Sequence, residues 1–225
     1  MELLPDSVQV VSAFGDPPGP PLFPAEEALI ANAVDVRRKE FTTGRRCARE
    51  ALSRLGYPAA PLLSGAQGEP LWPTGVRGSI THCEGYRAAA VVRSTDLLAV
   101  GMDAERVQAL RPGVFEAVSL PEERKQVARY RRHLPEAPWE MLLFSAKESF
   151  YKAWFPLTGK PLEFEDAVIE FDPDHGTFEA RLLAPGPHGG DSTFDGFSGR
   201  WAVRAGFVLT AVAVAVPPVG GSASR

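Results

Sequence analysis

Val100-Gly-Met-Asp-Ala-Glu105 and, further along, Ser145-Ala-Lys-Glu-Ser-Phe-Tyr-Lys-Ala-Trp154 decide how this chain reads. The first alternates with the period of a β-strand. Leu98, Val100 and Met102 point one way, and Asp103 and Glu105 point the other, about 7 Å apart along the backbone. The second has the period of a helix. It is crowded with Leu142, Leu143, Phe144, Phe150, Trp154 and Phe155, and it sets Glu148 and Lys152 on one face at i,i+4. A strand carrying two acids, followed by a largely buried helix carrying an acid and two lysines, sets the architecture and the chemistry together.

Working outward, the periodicity predicts a helix over 25–33 and another over 35–56, where Phe41, Ala48, Leu52 and Leu55 share a face and Gly56 gives a stop. Gly15–Pro21 reads as loop, because consecutive prolines suit neither helix nor central strand. Residues 58–73 read as a Gly/Pro-rich connection. Strands are expected at 78–83, 87–93 and 97–105. A polar segment over 107–137 should hold one short helix near 121–132. The helix from Trp139 is expected to end at Phe155, before Pro156. Strands follow at 167–171 and 177–183, then a loop over 184–199, then a hairpin of 201–204 with 207–216 through Ala205-Gly206. Helix-then-strands thus occurs twice, over 35–105 and 139–216. The expected fold is α+β, with two pseudo-symmetric halves, 1–100 and 101–216, an active site in the cleft between them, and a disordered tail over 217–225.

Composition narrows the class. The chain has 225 residues, 44% of them hydrophobic and 23% charged, with a formal net charge of −4. That balance is typical of globular domains and argues against a general nucleic-acid binder. Two cysteines, Cys47 and Cys83, make neither a disulfide framework nor a CxxC pair, which fits a cytoplasmic protein. The first residues lack a basic-then-apolar leader. The apolar run from Phe207 is too short to span a bilayer. No P-loop, GxGxxG or GxSxG pattern occurs.

Asp103, Glu105 and Glu148 are three hard oxygen donors with no His or Cys nearby, a set that favours Mg²⁺, or Mn²⁺, over Zn²⁺. Taken alone, an Asp-x-Glu reads sooner as a strand end with two solvated acids, and Glu148 with Lys152 as an ordinary helix ion pair. The crowding of the helix changes the balance, because a buried helix does not keep Lys147, Glu148 and Lys152 without partners. Carboxylates with lysines point to a metal-bridged phosphate ester. On the 35–56 helix, Arg38, Arg45 and Arg49 fall within one arc beside the apolar face, either a phosphate grip or a solvated basic face. His82, after Thr81 at a strand end, has a side chain able to donate to phosphate. A second basic run, Arg124 to Arg132, is either a steering patch or a solvated surface.

In order along the chain, Arg37-Arg-Lys-Glu-Phe41 with Arg45, Gly68-Glu-Pro70, Gly78-Ser-Ile-Thr-His82, Val100-Gly-Met-Asp-Ala-Glu105 and Phe144-Ser-Ala-Lys-Glu-Ser-Phe-Tyr-Lys-Ala-Trp154 resemble the 4′-phosphopantetheinyl transferases. The type is the monomeric surfactin/enterobactin-synthase group in its actinobacterial form. The resemblance implies coenzyme A bound between two α+β halves and transfer of its phosphopantetheine arm to a serine of apo acyl or peptidyl carrier proteins, with release of adenosine 3′,5′-bisphosphate. It implies Mg²⁺ on Asp103, Glu105 and Glu148. It implies Arg37, Arg45 and His82 on the 3′-phosphate, with Arg38 as the arginine favoured by the helical arc. Thr81 and Gln67 join the binding set, and Lys147 and Lys152 lie near the pyrophosphate. Glu148 is the candidate base and Lys147 the alternative. Related members carry lysines where this chain has Ser64 and Gln67, so Gln67 offers only a neutral hydrogen bond. The expected partners are coenzyme A and carrier proteins, with no nucleic acid or membrane, and the chain is expected to be monomeric. The competing readings are a Mg²⁺-dependent pyrophosphohydrolase of coenzyme A or nucleotides, and a non-catalytic coenzyme A- or carrier-binding module.

Overall fold

In the computed structural model, which describes residues 3–183 and 196–217, the chain runs β1 (Gln9–Phe14), α1 (Pro24–Leu29), α2 (Asp35–Arg54), β2 (Val76–Cys83), β3 (Tyr86–Arg93) and β4 (Leu97–Arg106). It continues through α3 (Val114–Val118), α4 (Pro121–His133), α5 (Trp139–Thr158), a 3-10 turn at Phe164–Asp166, β5 (Ala167–Asp172), β6 (Thr177–Leu182), β7 (Gly196–Arg204) and β8 (Phe207–Ala215). The strands form two antiparallel sheets, β1-β3-β2 and β4-β8-β7-β6-β5. The fold is α+β, as expected. Each sheet is covered by a twenty-residue helix, α2 on the first and α5 on the second.

Burial explains why these helices sit where they do. Cys47, Ala48, Ala51 and Leu52 of α2 pack on Val11, Ala89 and Val91. Leu142, Leu143, Ala146, Phe150 and Ala153 of α5 pack on Ala99, Phe178, Phe197, Val208 and Val212. A third cluster, Ala88, Ala90, Val92, Val100, Met102 and Ala211, fills the space between the sheets. The seam is also polar. Alternate side chains of β2 reach the free edge of β4: Arg77 Nε donates to Leu98 O (3.0 Å), Ser79 Oγ accepts from Met102 N (3.1 Å) and Thr81 Oγ1 accepts from Ala104 N (3.0 Å). Side chains at i, i+2 and i+4 thus do the work of a backbone ladder, satisfying an edge that burial would otherwise leave unpaired. This seam places Thr81 and His82 of one half beside Asp103 of the other.

Where the structure departs from the sequence reading, local packing is the cause. The helix from Trp139 continues through Pro156 to Thr158. Proline near a helix end removes one backbone bond, and Gly159, at φ 64, closes the turn by donating to Phe155 O (2.8 Å). Gly196–Gly199, expected as loop, opens β7; a Cβ on Gly199 would lie 2.2 Å from the Phe178 ring, so this glycine serves close packing rather than a turn. Strand β1 and helix α3 were not anticipated, because β1 is an edge strand with one buried residue and α3 has only five residues. Helix α1 is shorter than 25–33, and α2 stops at Arg54. The boundary expected between 100 and 101 falls inside β4, whose residues from Leu97 onward pair with β8. Most of the expected loop over 184–199 and of the tail from 217 lies outside the described residues.

Gly101 is the point of closest approach between β4 and α5. A Cβ there would lie 2.0 Å from Ser149 O and 2.6 Å from Ala153 N, both helix backbone atoms with nowhere to retreat. Gly101→Ala is expected to destabilise the fold by about 3 kcal/mol or more, at or beyond the usual overpacking range. A urea midpoint unchanged from the parent chain would show that the helix can move away.

Candidate active site

Asp103 is the hub. Its side chain is 4% exposed and points from β4 toward α5. Oδ1 lies 2.6 Å from Lys152 Nζ and accepts from Thr81 Oγ1 at 3.2 Å; Oδ2 accepts from Ser145 Oγ at 2.8 Å. Ser145 is held in turn by Thr210 of β8. Four elements therefore fix one carboxylate. Glu105 lies two residues on, and Glu148 stands one turn before Lys152. Burial first, then Asp103 and Glu148, raise Glu105 against the opposing Lys152, to about 7. Burial also raises Glu148, with Asp103 adding and Lys152 opposing. Burial alone would lower Lys152, but Asp103 first, then Glu148 and Glu105, hold it above the ordinary lysine value. These couplings tie the three acids and Lys152 into one charged group.

The donor chemistry suits a hard divalent cation: carboxylates in a half-buried site, opposed by the single ammonium of Lys152. The same acids are not gathered round one point. Among the described residues no group of three or more His, Cys, Asp or Glu side chains is placed to hold a metal ion. The nearest cation to Asp103 is the ammonium of Lys152.

A second cluster lies across the seam. Arg37 NH1 is 2.6 Å from His82 Nε2. Arginine can only donate, so Nε2 accepts and the ring proton sits on Nδ1, which faces Glu40 Oε2 at 3.4 Å. Glu40 also lies 3.8 Å from Arg87, which makes two 3.0 Å bonds to Asp16; Thr43 Oγ1 donates to Asp16 at 2.8 Å. Burial lowers the His82 pKa; Glu40 opposes this, while Arg37, Lys152 and Arg87 reinforce it. Thr81, which donates to Asp103, and His82 are neighbours on β2, so the two clusters meet at the same strand. Arg37 and His82 remain half-exposed, so a phosphate can reach them.

The remaining candidates divide. Arg45 is buried over the Phe41 ring and donates to Leu62 O (2.8 Å) and Ser64 Oγ (2.9 Å); desolvation lowers its pKa to about 10. Arg38 is turned away, donating to Ile30 O and pairing with Glu27 at 2.8 Å, and Arg49 pairs with the buried Glu26. Arg38 and Arg49 are therefore taken up by α1 and its C-terminal end, Arg45 by the connection after α2, and Arg37 is the arginine that meets His82. Lys147 does not join Lys152. It is 4% exposed, lies 2.8 Å from Glu123 Oε2, and donates to Phe164 O and Ala167 O. Helix geometry separates them: five residues apart, they leave α5 in different directions. Gln67 reaches the site's edge. A cleft of about 210 Å³ is lined by Gln67, Glu69 and Trp72 from one half and by Glu148, Tyr151 and Lys152 from the other. Glu148 and Tyr151 also border a second cavity of about 220 Å³, walled by Leu162, Phe164 and Ala167.

Sequence reading missed the supports: Glu40, Asp16 and Arg87 behind His82, and Ser145 and Thr210 behind Asp103. Ser145 had a signal, as a polar residue on the apolar face of a helix. The others are ordinary polar residues whose partners are set by sheet packing.

Comparison with known proteins follows the same order along the chain. The 4′-phosphopantetheinyl transferase N-terminal domain matches residues 25–92, and the 4′-phosphopantetheinyl transferase superfamily model matches 99–206. The 4′-phosphopantetheinyl transferase Svp of Streptomyces mobaraensis is 53% identical over 218 residues, which covers 96% of this chain and 89% of Svp. The chain belongs to the 4′-phosphopantetheinyl transferases. PptT of Mycobacterium tuberculosis is 48% identical over 204 residues, 88% of each chain, and Npt of Nocardia iowensis is 44% identical over 223 residues, 95% of this chain and 98% of Npt. As a 4′-phosphopantetheinyl transferase, this enzyme moves the phosphopantetheine arm of coenzyme A to carrier proteins. The boundary between the two family matches, at 93–98, coincides with the turn between β3 and β4.

Proposed function

We propose that this transferase binds coenzyme A across the seam between its sheets, with the 3′-phosphate on Arg37 and His82, the pyrophosphate beside Lys152 and Glu148, and the pantetheine arm in the cavity beyond Glu148. The observation that carries this reading is the juxtaposition of the Arg37–His82 pair with the Asp103–Lys152 pair across β2 and β4. Glu148 borders both the cleft and the second cavity, which suits a ligand threaded past it.

Asp103, Glu105 and Glu148 are the residues that would hold Mg²⁺, or Mn²⁺. When bound, the ion would neutralise pyrophosphate charge. The remaining work belongs to the chain. Glu148 takes the proton from the carrier serine hydroxyl, whose oxygen attacks the β-phosphorus of coenzyme A. The bond from that phosphorus to the bridging oxygen breaks, and adenosine 3′,5′-bisphosphate leaves with the electron pair. Lys152, held by Asp103, offers positive charge to the transferring group, the kind of preorganised electrostatic help that dominates phosphoryl transfer. Lys147 is not available as an alternative base, because its ammonium is engaged by Glu123 and two carbonyls. The exposed Lys125, Arg129 and Arg132 of α4 form a positive surface suited to an acidic carrier. A monomeric, cytoplasmic enzyme completes the reading; no helix among the described residues is long and apolar enough to cross a membrane.

The test is specific. Arg37→Ala and His82→Ala are each expected to raise KM for coenzyme A by about 10- to 100-fold, the worth of a charged hydrogen bond, and to leave KM for 3′-dephospho-coenzyme A unchanged. Equal losses on both donors would place the 3′-phosphate elsewhere. Mass spectrometry of an apo carrier incubated with enzyme, coenzyme A and Mg²⁺ checks the reaction itself.

A further inference from the structure

We infer that the buried Glu123–Lys147 pair is a positioning device that fixes the wall of the cavity beside Glu148 and thereby controls binding of the pantetheine arm, an inference that rests on the placement of the donor proposed above. Lys147 has three N–H donors, and three acceptors take them: Glu123 Oε2 at 2.8 Å, Phe164 O at 2.6 Å and Ala167 O at 3.0 Å. It has none left for a phosphate. Glu123, 1% exposed, is equally committed. Its Oε2 also accepts from Leu120 N at the start of α4 (2.7 Å), and its Oε1 accepts from Ile169 N of β5 (2.8 Å). The pair therefore joins α4, α5, β5 and the 3-10 turn at one buried point.

Two of those bonds bear on the cavity. Phe164 and Ala167 form the wall that faces α5, and Lys147 holds both through their backbone carbonyls. On the opposite side stand Lys147 itself, Glu148, Phe150 and Tyr151. Among the described residues, the other hydrogen bonds of the turn at 164–166 run within the segment and to Leu183, and its remaining packing is the Phe144–Phe164 ring contact and helix α3. Without the ammonium, the width of the cavity, and its alignment with Glu148, would be free to change. A ligand that needs a wall at one fixed distance is an arm with an apolar body and amides, not a point charge.

The experiment uses the full chain and avoids leaving a buried charge unpaired, which would threaten folding. In Glu123→Gln/Lys147→Met the pair is neutral. The variant is expected to show a KM for coenzyme A about tenfold higher, a loss of one decade in affinity, with Ki for adenosine 3′,5′-bisphosphate within twofold of the parent. Leu162→Trp, which fills the cavity, is expected to show the same split. If Ki for the bisphosphate rose in step with KM in the double variant, Lys147 would be a phosphate contact and the inference would fail. A rise in KM with Leu162→Trp and none with the double variant would overturn the positioning role while leaving the donor placement intact. No change with Leu162→Trp would remove the arm from the cavity and the inference with it.

Discussion

Asp103→Asn is expected to leave a folded chain that transfers phosphopantetheine at least about 10³-fold more slowly, beyond the 10- to 100-fold typical of supporting residues around a metal. The amide keeps the shape of the acid: its oxygen can still accept from Thr81, and its NH2 can donate to Ser145 Oγ, whose own proton can turn to Thr210, so the melting temperature should change little. What it loses is charge. Lys152 is 27% exposed and is held in the site by Asp103 Oδ1; without that anion it can swing toward solvent. The proposed cation site loses a ligand in the same step. Titration with Mg²⁺ separates these effects. The variant should need a higher Mg²⁺ concentration for half-maximal rate, and the parent should lose activity to a chelator and regain it with Mg²⁺ or Mn²⁺. Activity within tenfold of the parent would rule out Asp103 as the hub.

Glu148→Gln should cost about 10²- to 10⁴-fold in kcat, the usual worth of a general base. Glutamine cannot take the serine proton, yet it has the same size and sits on a helix whose packing does not depend on it. Binding of adenosine 3′,5′-bisphosphate should therefore stay within a few-fold, since Arg37, His82 and Lys152 are intact. A variant that turned over near the parent rate would fit a site in which the proton leaves by another route. A variant that lost bisphosphate binding as well would mean that Glu148 serves chiefly as a ligand.

Much of this was legible in the sequence because it follows from period and chemistry. The alternation of Val100 to Glu105 set Asp103 and Glu105 on one face, and the apolar crowding of 139–155 set a buried helix beneath Glu148 and Lys152. The elements that escaped did so for identifiable reasons. Gly196 and Gly199 look like loop residues, yet their small size is needed where β7 lies against Ala180 and Phe178. Pro156 looks like a helix stop, yet it falls so near the end of α5 that only one backbone bond is lost. The arc argument chose Arg38 over Arg37 because it weighed angle round the helix and could not see Glu27 and Ile30 O waiting on α1.

The lysines show where local reasoning ends. By sequence alone, Lys147 and Lys152 are two charges on one buried helix, and each needs a partner. That requirement is correct, and both have one. Which partner each finds depends on what the two sides of α5 face. Lys152 points to the β2–β4 seam and meets Asp103, and Lys147 points to α4 and β5 and meets Glu123. By itself the sequence determined that this chain folds as α+β, carries three acids with lysines on a strand and a helix, and resembles a coenzyme A-dependent transferase, because residue type and spacing are local properties. Only the tertiary structure decided which charges share a site, because ion pairs form between residues that distant segments bring within a few ångströms and that buried, low-dielectric surroundings do not allow to stand alone.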